Sequence, residues 1–136
     1  MNSLDTNVLV YAVSTSEGDK EKAARKLLAS ASNAGWPVAA QVYGEFFAVM
    51  TRRQYMSRKE ARAAIEAFSA VMSAMPSTAT AHAAALKLAA EKQVQYWDAL
   101  IIAVCAEHGV TQLYTEDTPS AARLLGVKFV SPFSVK

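Results

Sequence analysis

The spacing of apolar residues changes period several times along this chain, and the changes mark out its elements. Residues 1–4 read as a short strand running into Asp5-Thr6-Asn7, and Val8 to Val13 continues as an apolar helical turn. After a polar loop, Asp19 is the expected N-cap of a helix whose Ala23, Ala24, Leu27, Leu28 and Ala31 share one face and which stops at Gly35. Trp36 to Ala40 predicts a second strand, because Pro37 tolerates only a strand start or edge and Val38 to Ala40 is a short apolar run. A helix from about Gln41 to Arg53 follows.

Ser57 and Glu60 form a capping-box pattern ahead of a helix in which Ala61, Ala64, Ile65, Phe68, Val71 and Met72 recur at three and four residues. Ser73 to Thr78 is a candidate extended segment broken by Pro76, followed by an Ala-rich helix from about Thr80 to Lys92. Asp98 to His108 is apolar almost all round before Gly109, which predicts a helix buried between layers. Gln112 to Thr115 reads as a strand, Ser120 to Leu125 as a short helix ending at Gly126, and Val127 to Val130 as a last strand. Strands alternating with helices imply right-handed crossovers and a parallel sheet covered on both faces, the α/β class.

Size supports one domain over residues 1–136, since a chain of this length buries about two thirds of its unfolded surface without staples. No internal repeat or low-complexity linker divides it. The single cysteine, Cys105, has no disulfide partner, so a reducing, cytoplasmic setting is expected. The N-terminus lacks the basic region of a signal peptide, and charges interrupt every apolar run before it approaches the roughly 18 residues of a membrane span.

Candidate chemistry lies in the acids. In a parallel α/β sheet, ligands bind beyond the carboxyl ends of the strands. Asp5 and Asp117 each follow a predicted strand, Glu45 sits in the first turns of a helix after a strand, and Asp98 begins a helix. All four are therefore placed to meet at one edge. Glu45 also shares a helical stripe with Val42, Phe46 and Val49, and Asp98 one with Ile101, Ile102 and Cys105. A charge along an apolar stripe needs a partner, and a bound cation would supply it. Carboxylate oxygens without His or Cys suit Mg²⁺, with Mn²⁺ as a substitute, rather than zinc. Ordinary roles stay open to each acid: Asp5 and Asp98 as helix N-caps, Asp117 as a turn residue before Pro119, Glu45 as a solvated helix residue. His82 and His108 occupy helical settings and pair with no nucleophile.

The net charge of +2 hides an asymmetry. With the four acids committed to metal, the other eight face 14 basic residues, a balance of +6 that would attract a polyanion. Arg52, Arg53, Arg58, Lys59 and Arg62 fall in one stretch opposed only by Glu60, either as a nucleic-acid surface or as a solvated helix face and its approach loop. Tyr11, Tyr55, Tyr96 and Trp97 are candidates for base stacking, with core packing the expected role of Trp97.

Four segments together, LDTNVLVYA, the acid in QVYGEFF, YWDALIIAVCAEHG and LYTEDTP, resemble the ordered motifs of PIN domains over nearly the whole chain, and the small size is similar to that of the VapC toxins of bacterial toxin–antitoxin pairs. The resemblance implies a three-layer sandwich with a central parallel sheet and helices on both faces. It also implies a metal-dependent endoribonuclease with Asp5, Glu45, Asp98 and Asp117 as its acidic quartet, and Thr6, Asn7 and Thr115 in support. A cognate antitoxin protein and a homodimer would follow. Glu116 competes with Asp117 for the fourth place; Asp117 is preferred because, two residues from Thr115 in an extended segment, it points the same way. The contrasting expectation is a PIN-like module that binds metal or nucleic acid without turnover. A phosphotransfer receiver fits less well, since it wants a Lys after a late strand and Lys128 lies within the last one.

Overall fold

A computed structural model of the chain describes residues 1–92, 94–117 and 123–133. In chain order these form β1 (Asn2–Leu4), α1 (Thr6–Val13), α2 (Asp19–Ala34), β2 (Val38–Ala39), α3 (Ala40–Arg52), α4 (Arg58–Val71), β3 (Ala74–Met75), α5 (Ala79–Lys92), α6 (Tyr96–Glu107), β4 (Gln112–Tyr114), β5 (Arg123–Leu124) and β6 (Val127–Val130). The main sheet has the order β1-β4-β6-β5, and β2 pairs with β3 alongside it.

β1 pairs with β4, and β4 with β6, in parallel. Asn2 to Leu4 lie opposite Gln112 to Tyr114, and Gln112 to Tyr114 opposite Lys128 to Val130. The extended segment expected at Ser73 to Thr78 is β3, whose two residues pair in parallel with β2. The sheet is not wholly parallel, because β5 runs antiparallel to β6 through a tight turn at Leu125 and Gly126, both with positive φ. The helix expected over Ser120 to Leu125 is thereby corrected: Arg123 and Leu124 are strand residues, since a two-residue reversal leaves no room for a helical turn. Residues 120–122 of that prediction lie outside the described residues.

Local chemistry explains most helix ends. Ser57 Oγ accepts from the Glu60 amide at 3.0 Å while Glu60 Oε1 accepts from the Ser57 amide at 2.8 Å, the reciprocal cap that starts α4. Gly35, at φ 68°, donates to the carbonyls of Ala31 and Ser32 and ends α2. The N-cap of α2 is Gly18 rather than Asp19, which is the first helical residue, where its charge complements the helix dipole.

The core gathers on α6, whose residues Ala99 to Cys105 are all buried, as the unbroken apolar run predicts. α5 packs along it, with Ala81, Ala85 and Leu88 buried. On the other side Leu4, Val8, Leu9, Val42 and Phe46 close the layer. Ser3 is fully buried among them, and its hydroxyl donates to the Pro37 carbonyl at 2.6 Å, stitching β1 to the approach of β2. Burial, reinforced by the charge of Asp5, pushes the Cys105 thiol up to about 12, so this cysteine behaves as core. No helix among the described residues is long and apolar enough to cross a membrane.

Candidate active site

The carboxyl ends of β1 and β4 are held side by side by main-chain bonds that continue past the strands. The Asp5 amide donates to the Tyr114 carbonyl and the Thr115 amide to the Val130 carbonyl, each at 2.9 Å. Asp5 is thus fixed at the sheet edge, where it also caps α1: its Oδ1 accepts from the Thr6 amide at 2.7 Å. Its Oδ2 accepts from the Thr115 hydroxyl at 2.8 Å.

Thr115, 2% exposed, is the hinge of a small network. Its hydroxyl oxygen accepts from the Asp117 amide at 3.1 Å and lies 3.5 Å from Asn7 Nδ2, while Asn7 Oδ1 accepts from the Glu116 amide at 3.3 Å. The two acids after β4 are sorted by this arrangement. Glu116 accepts from the Tyr11 hydroxyl at 3.3 Å and from Lys20 at 3.2 Å, which fastens it to α1 and α2. Asp117 faces the cleft instead.

Glu45 lies on the second turn of α3, half-buried, and its Oε1 accepts from the Thr6 hydroxyl at 2.8 Å. One turn earlier, Gln41 Nε2 donates to the Trp97 carbonyl at 3.0 Å and lies 3.5 Å from Glu45 Oε2, tying α3 to the start of α6. The other end of that amide, Gln41 Oε1, is buried with no donor among the described residues. Sequence reasoning passed over Gln41, although its place four residues before Glu45 is the helical spacing at which side chains meet.

Asp98 differs from expectation in two ways. α6 begins at Tyr96, so Asp98 is its third residue and caps nothing through its side chain. It is also exposed, because the stripe it shares with Ile101 and Ile102 emerges from the core at the helix N-terminus. Trp97 beside it is 54% exposed rather than packed in the core; it meets Tyr96 edge-on, and the Tyr96 hydroxyl bonds His82.

Asp5, Glu45, Asp98 and Asp117 all line one cleft of about 700 Å³, together with Thr6, Asn7, Tyr11, Glu21, Arg53 and Tyr55. Their mutual repulsion shows in the protonation equilibria. Burial raises the Asp5 carboxyl to about 6, with Glu45 and Asp98 adding to the rise and the bonds from Thr115 and Thr6 opposing it. Asp98 is raised by partial burial, then by Glu45 and Asp117. Even so, among the described residues no three His, Cys, Asp or Glu side chains stand in a metal-holding arrangement. Like charges that share a cleft keep apart unless something binds between them.

All four acids fall within residues 3–122, the stretch that matches the family model described as PIN domain. The chain belongs to the PIN domain family. Solved structures of the same fold include a toxin–antitoxin complex from Klebsiella pneumoniae, 19% identical over 99% of this chain and 100% of that one, at a TM-score of 0.72. The sarcin–ricin loop cleaving toxin VapC20 of Mycobacterium tuberculosis is 23% identical over 94% and 99% of the two chains, with a TM-score of 0.72. FitAcB from Neisseria gonorrhoeae is 15% identical over 99% and 100%, at 0.74. At these identities the likeness is one of fold. No curated protein sequence matches this PIN domain.

The remaining candidate residues divide by position. Of the basic stretch, Arg53 alone lines the acidic cleft; Arg52, Arg58, Lys59 and Arg62 are exposed beyond it on the end of α3 and the start of α4. Arg62 pairs weakly with Glu66 at 3.8 Å. His108 caps α6, its Nδ1 2.9 Å from the Val104 carbonyl, away from the acids.

Proposed function

We propose that this PIN domain is a divalent-cation-dependent endoribonuclease and the toxin of a toxin–antitoxin pair. The observation that carries the reading is the meeting of four carboxylates, from β1, α3, α6 and the exit of β4, at one cleft beyond the carboxyl ends of the parallel strands. The donor set is all carboxylate oxygen, which suits Mg²⁺ or Mn²⁺, and Gln41 Oε1, on the amide four residues before Glu45, is a buried acceptor with no donor among the described residues. Asp5, Glu45, Asp98 and Asp117 are the residues that would hold the ion. When bound, the ion supplies activation of water and neutralisation of phosphodiester charge.

The chain's own contribution is positioning. Thr6 turns Glu45 toward Asp5 by donating to it, and Thr115 orients Asp5 while anchoring the Asp117 backbone. Asn7 ties both loops together, and the Tyr11 and Lys20 bonds keep Glu116 out of the cleft. The Asp5 carboxyl, raised by burial with Glu45 and Asp98 adding to the rise, fits a site for a cation: the cost of ionising it falls when positive charge arrives.

A protein partner is supported by the Klebsiella structure of the same fold, a toxin–antitoxin complex. We expect a small antitoxin, a homodimer and a cytoplasmic setting by the same analogy. The test is hydrolysis of total RNA by the purified protein with Mg²⁺ or Mn²⁺, against EDTA and against Asp5→Asn and Asp98→Asn. Cleavage that needs the metal and both acids, and that leaves 5′-phosphate and 3′-hydroxyl ends, supports the reading. Cleavage that persists in EDTA, or 2′,3′-cyclic phosphate ends, overturns it. The spread of the acids favours one second reading, a PIN domain that binds RNA without turnover, which the same assay separates.

A further inference from the structure

The five residues from Arg53 to Ser57 turn the chain from α3 into α4 on the rim of the acidic cleft, and they do so under unusual constraint. Gln54 has φ 60°, a left-handed conformation that a side-chain-bearing residue seldom adopts without outside support. Main-chain bonds supply that support. The Gln54 amide donates to Thr51, the Tyr55 and Met56 amides both donate to the Met50 carbonyl at 3.0 and 3.2 Å, and the Ser57 capping box closes the far side. The turn is pinned at both ends, so the side chains it carries are presented at set positions.

Two of those side chains have nothing to do within the fold. Tyr55 is 61% exposed although it lines the cleft, and among the described residues no ring or cation packs on it and its hydroxyl makes no hydrogen bond. Arg53 lines the same cleft as five carboxylates, the quartet and Glu21, yet forms no ion pair among the described residues. An exposed aromatic face and an unpaired guanidinium, side by side on a braced turn, match the two parts of one nucleotide: a base to stack and a phosphate to bind. Beyond the turn, Arg52 and Arg58 line an adjoining hollow of about 800 Å³, which continues the basic surface away from the acids.

We propose that the α3–α4 turn is a nucleotide subsite, in which Tyr55 stacks on an unpaired base next to the scissile phosphate and Arg53 holds the flanking phosphate, the strand leaving toward Arg52 and Arg58. The proposal rests on the endoribonuclease reading and deepens it. A base inside a duplex has no free face, so the subsite selects single-stranded or loop RNA. Purines, with the larger ring system, gain more from it than pyrimidines.

The test uses fluorescein-labelled oligoadenylate and oligouridylate octamers, titrated by anisotropy against the full chain with Ca²⁺ in place of Mg²⁺. Loss of the ring in Tyr55→Ala should weaken oligoadenylate binding by about 5- to 150-fold and oligouridylate binding less, while Tyr55→Phe stays near wild type. Arg53→Ala should weaken both octamers alike and flatten the log–log salt dependence by about 0.7, the value of one phosphate contact on a single strand. A merely structural role for either side chain would alter neither the purine preference nor the salt slope. Equal affinity of wild type and both variants for both octamers, or no octamer binding by the wild type, overturns the subsite and leaves the turn as a surface for a protein partner. RNA hydrolysis by Tyr55→Ala with unchanged kcat and KM also overturns it without touching the nuclease reading, which falls only if the wild type hydrolyses no RNA.

Discussion

In metal-free solution, the burial of Asp5, with the charges of Glu45 and Asp98 adding to it, makes the stability of the protein depend on pH in a direction opposite to ordinary acid denaturation. The folded carboxyl sits at about 6 against an ordinary 3.8, so the folded chain holds a proton that the unfolded chain has released across that interval. Stability from this group is therefore fully present below about pH 4 and lost as pH rises through 6. The shift of about two pKa units corresponds to about 3 kcal/mol at 1.36 kcal/mol per unit, an upper figure because the residue keeps some solvent contact. For a domain of this size that is about 10 °C in Tm. Other carboxylates titrate over the same range, so the informative quantity is a difference. Urea unfolding of wild type and Asp5→Asn in EDTA, at steps from pH 4 to 7, removes the common background. The asparagine loses the bond accepted from Thr115 at every pH, a constant offset. Relative to Asp5→Asn, wild type should lose up to about 3 kcal/mol between pH 4 and 7, and saturating Mg²⁺ should erase most of that loss. A difference independent of pH, or one that grows in favour of wild type as pH rises, refutes the claim that Asp5 is held against its ionisation.

Mg²⁺ or Mn²⁺ at one hundred times Kd should raise wild-type stability by about 2.7 kcal/mol, and Asp98→Asn, which removes one charge from the cluster without removing a cap, should melt at or above wild type in EDTA yet lose most of that increment, as differential scanning calorimetry would read. Thr115→Val leaves the Asp117 amide without its acceptor and Asp5 Oδ2 without its donor; it should cost about 1–3 kcal/mol by denaturant unfolding and lower kcat on RNA more than it raises KM. Ser3→Ala strands the Pro37 carbonyl and should cost a similar amount, about 1–3 kcal/mol, while leaving the metal-induced rise in Tm intact, since Ser3 touches none of the acids.

Periodicity carried the fold where each element had its own local cause. The capping box of Ser57 and Glu60, the Gly35 stop and the all-apolar run of α6 owe little to the rest of the chain, and each stands where its residues predict. Prediction failed where tertiary context decided. Arg123 and Leu124 have helix-compatible side chains and became a strand because β6 offered a partner edge. Trp97 reads as core from composition alone, but α6 enters the core only from Ala99, and the ring, in its first turn, is left outside. The meeting of the acids was legible because strand ends and helix starts converge in this class of sheet. Thr6 and Thr115 hydrogen-bond Glu45 and Asp5, and Asn7 lies 3.5 Å from the Thr115 hydroxyl, contacts between residues up to 110 apart that no local pattern spells out. What spacing hid was the pairing of Glu116 with Lys20, 96 residues away, which decides which of two adjacent acids faces the cleft. Arg53 and Tyr55 were legible singly as candidates for nucleic-acid contact, but not that one braced turn carries both on the rim of the cleft, which depends on backbone geometry and exposure.

The pairing of β1 with β4 has a consequence for the newly made chain. Asp5 emerges well before the strand that holds it in place, and the threonine that orients it is 110 residues further on. Contacts so distant in sequence form late and slowly, since a long loop must close before they return any free energy. A chain still short of Gln112 therefore carries three of the four acids and no sheet edge on which to array them. The cleft comes into being only once Gln112 to Thr115 have been added, so a chain interrupted before them has no cleft whatever it has already built of its helices.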